Sequence, residues 1–459
     1  MNGFVDYLLA RLGIAVDPST QQRVQRQLAA FLKTLLGTLG TQAGTYFSLV
    51  LLTRYLGVEG FGRYAAIQAT LMASFGLSSL GIGITSTRFV ARFRLTDPVR
   101  AGRISGLCSV VSIFSGLVFT AVLLVWAEPI AIHIFRSGDL QWAIRTSSIC
   151  CLLLTWNAHQ VGTLMGFEAF GRLLRAQLLQ SATALVITLL LVLSFGFIGA
   201  VIALPLATAM GCIYLHLELK AESEAQGVVG DYVNCWSERQ VLVQFALPAA
   251  ASGMIGSGAV WCAQMLLVNS EAGLAEMGLW TAAASIRGAV MLAPGVLSRV
   301  SSPILSSLHD HDRAETYSRT LWSTALAATG GALAAGLMLQ SSAPLLLWLF
   351  GKDFLRVGEM LPLVIASAVV EAYACSVSQA LVAHGRLKYQ LGIISVWSAT
   401  LLLASWTLIP RYAASGLAFA YLLAWLGTAL GYTWIARRLV AIRTCQLPAV
   451  GDRLRSLRA

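Results

Sequence analysis

The chain has 459 residues, of which 57% are hydrophobic and only 12% are charged, and its mean hydropathy is +0.73. Soluble globular domains carry about 25% charged residues, so the composition excludes that class. The apolar residues form long blocks, which is typical of membrane-spanning helices and not of the alternating strands of a barrel. We therefore predict an all-α polytopic membrane protein.

The formal charge is +11, and the basic residues are scattered over many short connectors. Scattered Lys and Arg residues orient membrane helices, so we expect no nucleic-acid partner. The eight cysteines form no CxxC pair and most lie in apolar runs, which predicts neither a disulfide framework nor a metal site. The sequence lacks a GxxxxGK(S/T) motif and any connector long enough for a catalytic domain. We expect no cofactor and no enzymatic activity.

Apolar runs long enough to cross a hydrocarbon core of about 30 Å predict 12 spans. They lie at approximately 31–53, 61–84, 105–126, 143–165, 174–194, 197–217, 241–268, 276–299, 321–345, 360–383, 388–409 and 413–436. The connectors on the side of both termini hold 24 Lys and Arg residues, and the alternate connectors hold 7. Because positive residues remain in the cytoplasm, we expect both termini there.

The two halves of the sequence resemble each other at a nearly constant offset. FGRYAAIQA at 61–69 matches MGLWTAAAS at 277–285, and FEAFGRLLRAQLL at 167–179 matches LVAHGRLKYQLGI at 381–393. Gly199 matches Gly416 in the same order. Each half holds an even number of spans, so the pattern predicts a parallel repeat, with two six-helix lobes around a central cavity, as in transporters.

The predicted spans divide the chain into five parts. These are a cytoplasmic tail or interfacial helix at 1–27, the N-lobe with helices 1–6 at 28–217, a cytoplasmic linker at 218–240, the C-lobe with helices 7–12 at 241–440, and a basic cytoplasmic tail at 441–459.

Two charged residues fall in the middle of predicted spans. Arg287 lies in the eighth span and Glu371 in the tenth. An arginine at a helix centre costs about 2.5–3.5 kcal/mol to insert, so Arg287 must face protein or water. One interpretation is a buried ion pair that holds the C-lobe together. The other is that Arg287 binds an anionic headgroup in the cavity, with Glu371 modulating or releasing it.

Other polar residues extend this candidate site. Asn157 and Gln160 of the fourth span are predicted substrate contacts, and His159 is a predicted modulating residue, although an interhelical hydrogen bond is the simpler interpretation for His159 and Gln160. Lys33 is a predicted substrate contact near the start of the first span. A basic group at the cytoplasmic mouth is predicted to admit substrate or to contact lipid headgroups; it consists of Arg88, Arg92 and Arg299.

The segment LLTRYLGVEGFGRYAAIQA at 51–69 closely resembles the connection between the first two helices of Wzx-type polysaccharide flippases. These belong to the multidrug/oligosaccharidyl-lipid/polysaccharide (MOP) exporter superfamily. VQFALPAAASG at 243–253 and RVSSPILSSL at 299–308 resemble later segments of that family. The resemblance covers about residues 30–440.

The resemblance implies movement of an undecaprenyl-pyrophosphate-linked oligosaccharide from the cytoplasmic to the periplasmic leaflet of a bacterial inner membrane. The product would be O-antigen, capsule or exopolysaccharide, and a glycan polymerase and a chain-length regulator are the implied partners. Members often carry an acidic residue in the seventh helix, where this sequence has Gln264. Coupling to H⁺ or Na⁺ is therefore expected to involve Glu371.

Three alternatives remain open at the level of sequence. A cation-coupled multidrug exporter of the same superfamily would bind organic cations, for which an arginine in the cavity is poorly suited. A glycan polymerase or ligase would be expected to carry a large outside loop, and the longest outside connector runs only from about residue 127 to 142. A scaffold for a synthesis complex would tolerate changes of the cavity charges.

Overall fold

The computed structural model describes residues 18–242, 246–271, 273–292, 294–295, 297, 314–383 and 387–456. Over these residues the chain is almost entirely helical and contains no strand. Its helices of eight or more residues are α1 (Pro18–Ser78), α2 (Ile82–Phe93), α3 (Pro98–Pro129), α4 (Gln141–Gly166), α5 (Phe170–Ala225), α6 (Leu247–Val268), α7 (Gly273–Val290), α8 (Ala314–Ser341), α9 (Ala343–Phe350), α10 (Val357–Ala383) and α11 (Leu387–Ser456). The all-α prediction is confirmed.

Several of these helices are long and apolar enough to cross a membrane. Within the described ranges six qualify, or seven when α1 and α2 are counted as one bent span. The bend between those two helices is 44°. It falls inside the second predicted span, because Leu80 and Gly81 adopt positive φ and interrupt the helix. The protein is a multi-pass membrane protein.

Three long helices each contain one residue with a non-helical backbone. These are Gly57 in α1, Gly196 in α5 and Ala413 in α11. Gly57 and Gly196 lie in predicted connectors, and Ala413 is the first residue of the twelfth predicted span, so each helix carries two predicted spans. The reversal in α5 is visible at Gly199, where an added Cβ would lie 1.9 Å from the carbonyl oxygen of Leu191. In a straight helix these residues would be about 12 Å apart.

The same turn occurs in both halves of the chain. Gly196 has φ 56° and ψ −127°, and Ala413, 217 positions later, has φ 48° and ψ −125°. Gly416 approaches the carbonyl oxygen of Leu408 in the same way that Gly199 approaches that of Leu191. A Cβ built on Gly416 would lie 2.5 Å from the oxygen of Leu408. The second half thus keeps the conformation although alanine lacks the freedom of glycine at positive φ. The parallel repeat is confirmed in the backbone.

The lobes meet through a reciprocal contact of two glycines, Gly62 in α1 and Gly278 in α7. A Cβ built on Gly62 would lie 1.7 Å from the carbonyl oxygen of Leu274, and one built on Gly278 would lie 2.4 Å from that of Val58. Both glycines and both carbonyl residues correspond to each other at an offset of 216. This lobe contact is therefore built from main chain around the axis of the repeat.

The segment between the lobes folds against the start of α3. Arg100 donates from Nε and Nη2 to the two carboxylate oxygens of Glu238 at 2.9 and 3.0 Å. A Cβ on Gly102 would lie 2.1 Å from the carbonyl oxygen of Val229. The segment is thus fixed to the N-lobe by a bidentate ion pair and by close backbone contact.

Substitution of Gly278 tests the lobe contact. In Gly278→Ala the new methyl group would force the backbones of α1 and α7 apart, so we expect a loss of about 1–3 kcal/mol in the free energy of unfolding. The measurement is thermal unfolding of the protein in nanodiscs. Gly256→Ala is the matched control, because no described residue lies within 4 Å of a Cβ at this helical position. Equal melting temperatures for both variants would contradict the contact.

Candidate functional site

The structure brings Arg287 of α7 and Glu371 of α10 together. Nη2 of Arg287 donates to Oε2 of Glu371, and the two side chains are only 19% and 16% exposed. The helical positions place both groups near the middle of their predicted spans. An ion pair at this depth compensates two charges that would each be costly alone.

The ion pair leaves part of the guanidinium without a partner. Cζ of Arg287 lies 5.1 Å from the ring centroid of Tyr421, which adds a cation–π contact from α11. Nε of Arg287 is buried and donates to no other described residue. Because a guanidinium carries five N–H donors, Arg287 retains the capacity to bind an additional anion.

Arg287 and Glu371 line a cavity of about 370 Å³ between the lobes. We call it the arginine cavity; α1 contributes Thr38 and Gln42, and the C-lobe contributes Ala284, Arg287, Gly288, Met291, Leu292, Gly295 and Glu371. Tyr46 joins the two sides, since its hydroxyl donates to the carbonyl oxygen of Ser285 at 2.7 Å. The predicted mid-span charges therefore lie in a central, inter-lobe cavity.

A second inter-lobe cavity has a volume of about 260 Å³, and none of the described residues in its wall is charged. We call it the glutamine cavity. It is lined by Ala65, Gln68, Ala69, Met72 and Ala73 of α1, by Ser257, Val260, Trp261 and Gln264 of α6, and by Met277 and Thr281 of α7. Nε1 of Trp261 donates to Oγ1 of Thr70 at 3.1 Å and connects the lobes here.

The polar residues of the fourth predicted span occupy a different place. His159 and Gln160 are buried inside the N-lobe. Nδ1 of His159 lies 3.2 Å from Oγ of Ser86, and Nε2 of Gln160 donates to the carbonyl oxygen of Cys212 at 3.3 Å. These two residues and Asn157 are not among the residues that line either cavity. Their roles toward substrate remain predictions.

The predicted basic group at the mouth is only partly described. Arg88 and Arg92 are exposed on the last turns of α2, and Cζ of Arg92 lies 5.4 Å from the ring centroid of Phe93. Arg299 and the side chain of Lys33 lie outside the described residues.

Sequence reasoning missed two residues that line these cavities and one that contacts Arg287. They are Gln42, Gln68 and Tyr421, each a polar group within a predicted apolar span. A polar residue within an apolar run indicates a position that faces protein or a cavity, because an unsatisfied amide is costly in hydrocarbon. Their depth is readable from the sequence, but the direction in which they point is set by interhelical packing.

Comparison with known proteins identifies relatives of this architecture. A protein-family model described as "Polysaccharide biosynthesis protein" matches residues 28–309. A comparison with curated proteins finds no match.

Solved transporters of the MOP superfamily share the fold. A multidrug resistance MATE family transporter in an inward-facing conformation is 14% identical, with a TM-score of 0.74, covering 88% of this chain and 95% of that chain. A MOP superfamily transporter from Pyrococcus furiosus, described as having a binding pocket of reverse polarity that suggests a different function, is 16% identical, with a TM-score of 0.70 and coverage of 91% and 96%. An outward-facing MATE family transporter is 15% identical, with a TM-score of 0.69 and the same coverage.

A mutant cycle on the ion pair tests its contribution to stability. Glu371→Gln leaves the Arg287 charge buried without its partner, so we expect a loss of about 3 kcal/mol in the free energy of unfolding. The double variant Arg287→Met/Glu371→Leu removes both charges and should regain most of that loss. The measurement is equilibrium unfolding followed by tryptophan fluorescence.

The control for this cycle is Glu59→Gln. It breaks the more exposed pair between Glu59 and Arg63, whose side chains are 64% and 33% exposed, and should cost about 0.5 kcal/mol or less. A double variant no more stable than Glu371→Gln would contradict the buried pairing.

Proposed function

The chain belongs to the polysaccharide biosynthesis protein family, and on that premise we propose that it is a flippase for a lipid-linked oligosaccharide. It moves an undecaprenyl-pyrophosphate-linked repeat from the cytoplasmic to the periplasmic leaflet of a bacterial inner membrane. The observation that carries this proposal is Arg287, a cation that lines a cavity between two lobes and whose Nε has no partner among the described residues. The family and the fold are those of transporters, so we propose transport without catalysis.

Arg287 suits the pyrophosphate for geometric and electrostatic reasons. A planar guanidinium donates two parallel hydrogen bonds to phosphate oxygens, and the surrounding helices exclude water from the contact. Glu371 competes for the same guanidinium. The headgroup therefore binds by displacing the carboxylate, and return of Glu371 to Arg287 favours release.

This competition gives Glu371 a role in coupling. A proton or Na⁺ at the carboxylate weakens its attraction to Arg287 and frees the guanidinium for substrate. Movement of one charge through the membrane potential provides about 2.3 kcal/mol per 100 mV, which is sufficient to bias the exchange. We propose H⁺ or Na⁺ as the coupling ion and no other cofactor.

The remaining predictions describe the route of the substrate. The prenyl tail stays in lipid while the polar head passes between the lobes. Lys33, Arg88, Arg92 and Arg299 attract the anionic head at the cytoplasmic side, where both termini also lie. The delivered repeat is then used by a glycan polymerase and a chain-length regulator for O-antigen, capsule or exopolysaccharide.

A cation-coupled multidrug exporter is the second candidate, because solved multidrug transporters share the fold. The arginine cavity is less suited to that function, since Arg287 repels an organic cation. The glutamine cavity also offers no carboxylate to such a substrate.

A complementation experiment tests the proposed function. A deletion strain is expected to accumulate the lipid-linked oligosaccharide on the cytoplasmic face of the membrane. Wild type should clear it, whereas Arg287→Ala at equal protein level should reduce clearance about 10-fold or more, because loss of a buried charged contact costs roughly 2–5 kcal/mol. The measurement is mass spectrometry of extracted lipids with a leaflet-accessibility assay.

The matched control is Arg145→Ala, which removes an exposed arginine outside both cavities. It should clear the lipid as wild type does. Equal clearance by Arg287→Ala would reduce Arg287 to a structural residue. Absence of accumulation with intact downstream enzymes, together with increased sensitivity to cationic drugs, would favour the multidrug exporter.

A further inference from the structure

Three glutamine side chains face the space between the lobes. Gln42 lines the arginine cavity, and Gln68 and Gln264 line the glutamine cavity. All three are half-buried. Their amide groups form no hydrogen bond to any other residue in the described part of the chain. The amide groups of these three glutamines therefore face the two cavities between the lobes.

Unsatisfied amides at this depth are not explained by packing. The three side chains are half-buried, so their amide groups stay accessible from the cavities while no described residue hydrogen-bonds to them. Within the N-lobe, by contrast, Nε2 of Gln160 donates to the carbonyl oxygen of Cys212. The three cavity glutamines are therefore available to a ligand that enters between the lobes.

The two cavities lie one after the other along α7. Thr281 lines the glutamine cavity, whereas Ala284 and Arg287 line the arginine cavity. Thr281 and Arg287 are six positions apart on α7, which corresponds to a rise of about 9 Å. A molecule anchored by its pyrophosphate at Arg287 would thus extend its next chemical group into the glutamine cavity.

The wall of the glutamine cavity indicates what that group is. Each amide offers two N–H donors and a carbonyl acceptor, which complements hydroxyl groups that both donate and accept. Trp261 adds an aromatic surface, with its N–H already bonded to Thr70. The described residues of this wall carry no formal charge and include apolar side chains such as Met72 and Val260. They favour a neutral ligand with both hydroxyl groups and apolar C–H faces over an ion.

We propose that the glutamine cavity is a glycan subsite, in which Gln68 and Gln264 bind the sugars nearest the pyrophosphate. This inference rests on the proposed function and adds the part of the substrate that Arg287 does not contact. Gln68 belongs to the N-lobe and Gln264 to the C-lobe. The sugar therefore bridges the lobes, and its recognition depends on their relative position.

Binding to the full chain in nanodiscs tests the subsite with two probes. One is undecaprenyl pyrophosphate without sugar, and the other is the lipid-linked oligosaccharide extracted from the deletion strain. Gln68→Ala/Gln264→Ala should weaken binding of the glycan-bearing lipid about 10-fold, the effect of two neutral hydrogen bonds. Binding of undecaprenyl pyrophosphate should change less than about twofold, because the arginine cavity is intact.

Gln180→Ala is the matched control. Gln180 also lies in a predicted span, but it packs against Gly211 within α5, so both lipids should bind as they do to wild type. Gln264→Asn provides a milder change that retains an amide but shortens its reach. It should weaken only the glycan-bearing lipid, and it decides the outcome if the double variant loses affinity for both probes.

The outcomes separate the subsite from the proposed function. If the glutamine variants bind both lipids as wild type does, or if wild type binds the two lipids equally, the subsite is wrong while the flippase stands. If wild type binds neither lipid, the pyrophosphate site and the proposed function are wrong. Selective weakening toward the glycan-bearing lipid supports the subsite.

Discussion

A positive charge held within the membrane is the constraint on which this structure depends. The Arg287 side chain is only 19% exposed, and three separate helices supply its environment: α10 gives the Glu371 carboxylate, α11 gives the Tyr421 ring, and α1 closes the cavity from the other lobe. Two of these contacts lie in the C-lobe and one crosses the interface. The environment of Arg287 therefore depends both on how the helices of the C-lobe pack and on the distance between the two lobes.

The two cavities divide recognition between charge and shape. The arginine cavity offers a strong, long-range attraction that any phosphate-bearing lipid would satisfy. The glutamine cavity offers short-range hydrogen bonds that depend on where hydroxyl groups are placed. Affinity would come mainly from the first and discrimination from the second. Such a division lets a transporter hold a common carrier lipid firmly while distinguishing the glycan it carries.

Much of the architecture was predictable from sequence, and the site only in part. Long apolar blocks predicted the helices, and the match between Gly199 and Gly416 helped to predict the repeat. The equivalent turns at Gly196 and Ala413 were found only in the structure. The depth of Arg287 and Glu371 allowed a buried ion pair as one of two interpretations, and the structure contains that pair. His159 shares a similar depth yet points into the N-lobe, since rotation about the helix axis follows from packing against distant helices and not from local sequence.

The lobe contact at Gly62 and Gly278 consists of backbone atoms facing backbone atoms. Its geometry therefore does not depend on the side chains that surround the cavities. Substitutions at the cavity wall would alter which sugars fit without disturbing the surface on which the lobes meet. The preference for a glycan can therefore change while the lobe contact stays the same. Related chains could accept new glycans through substitution of a few residues in the cavity wall.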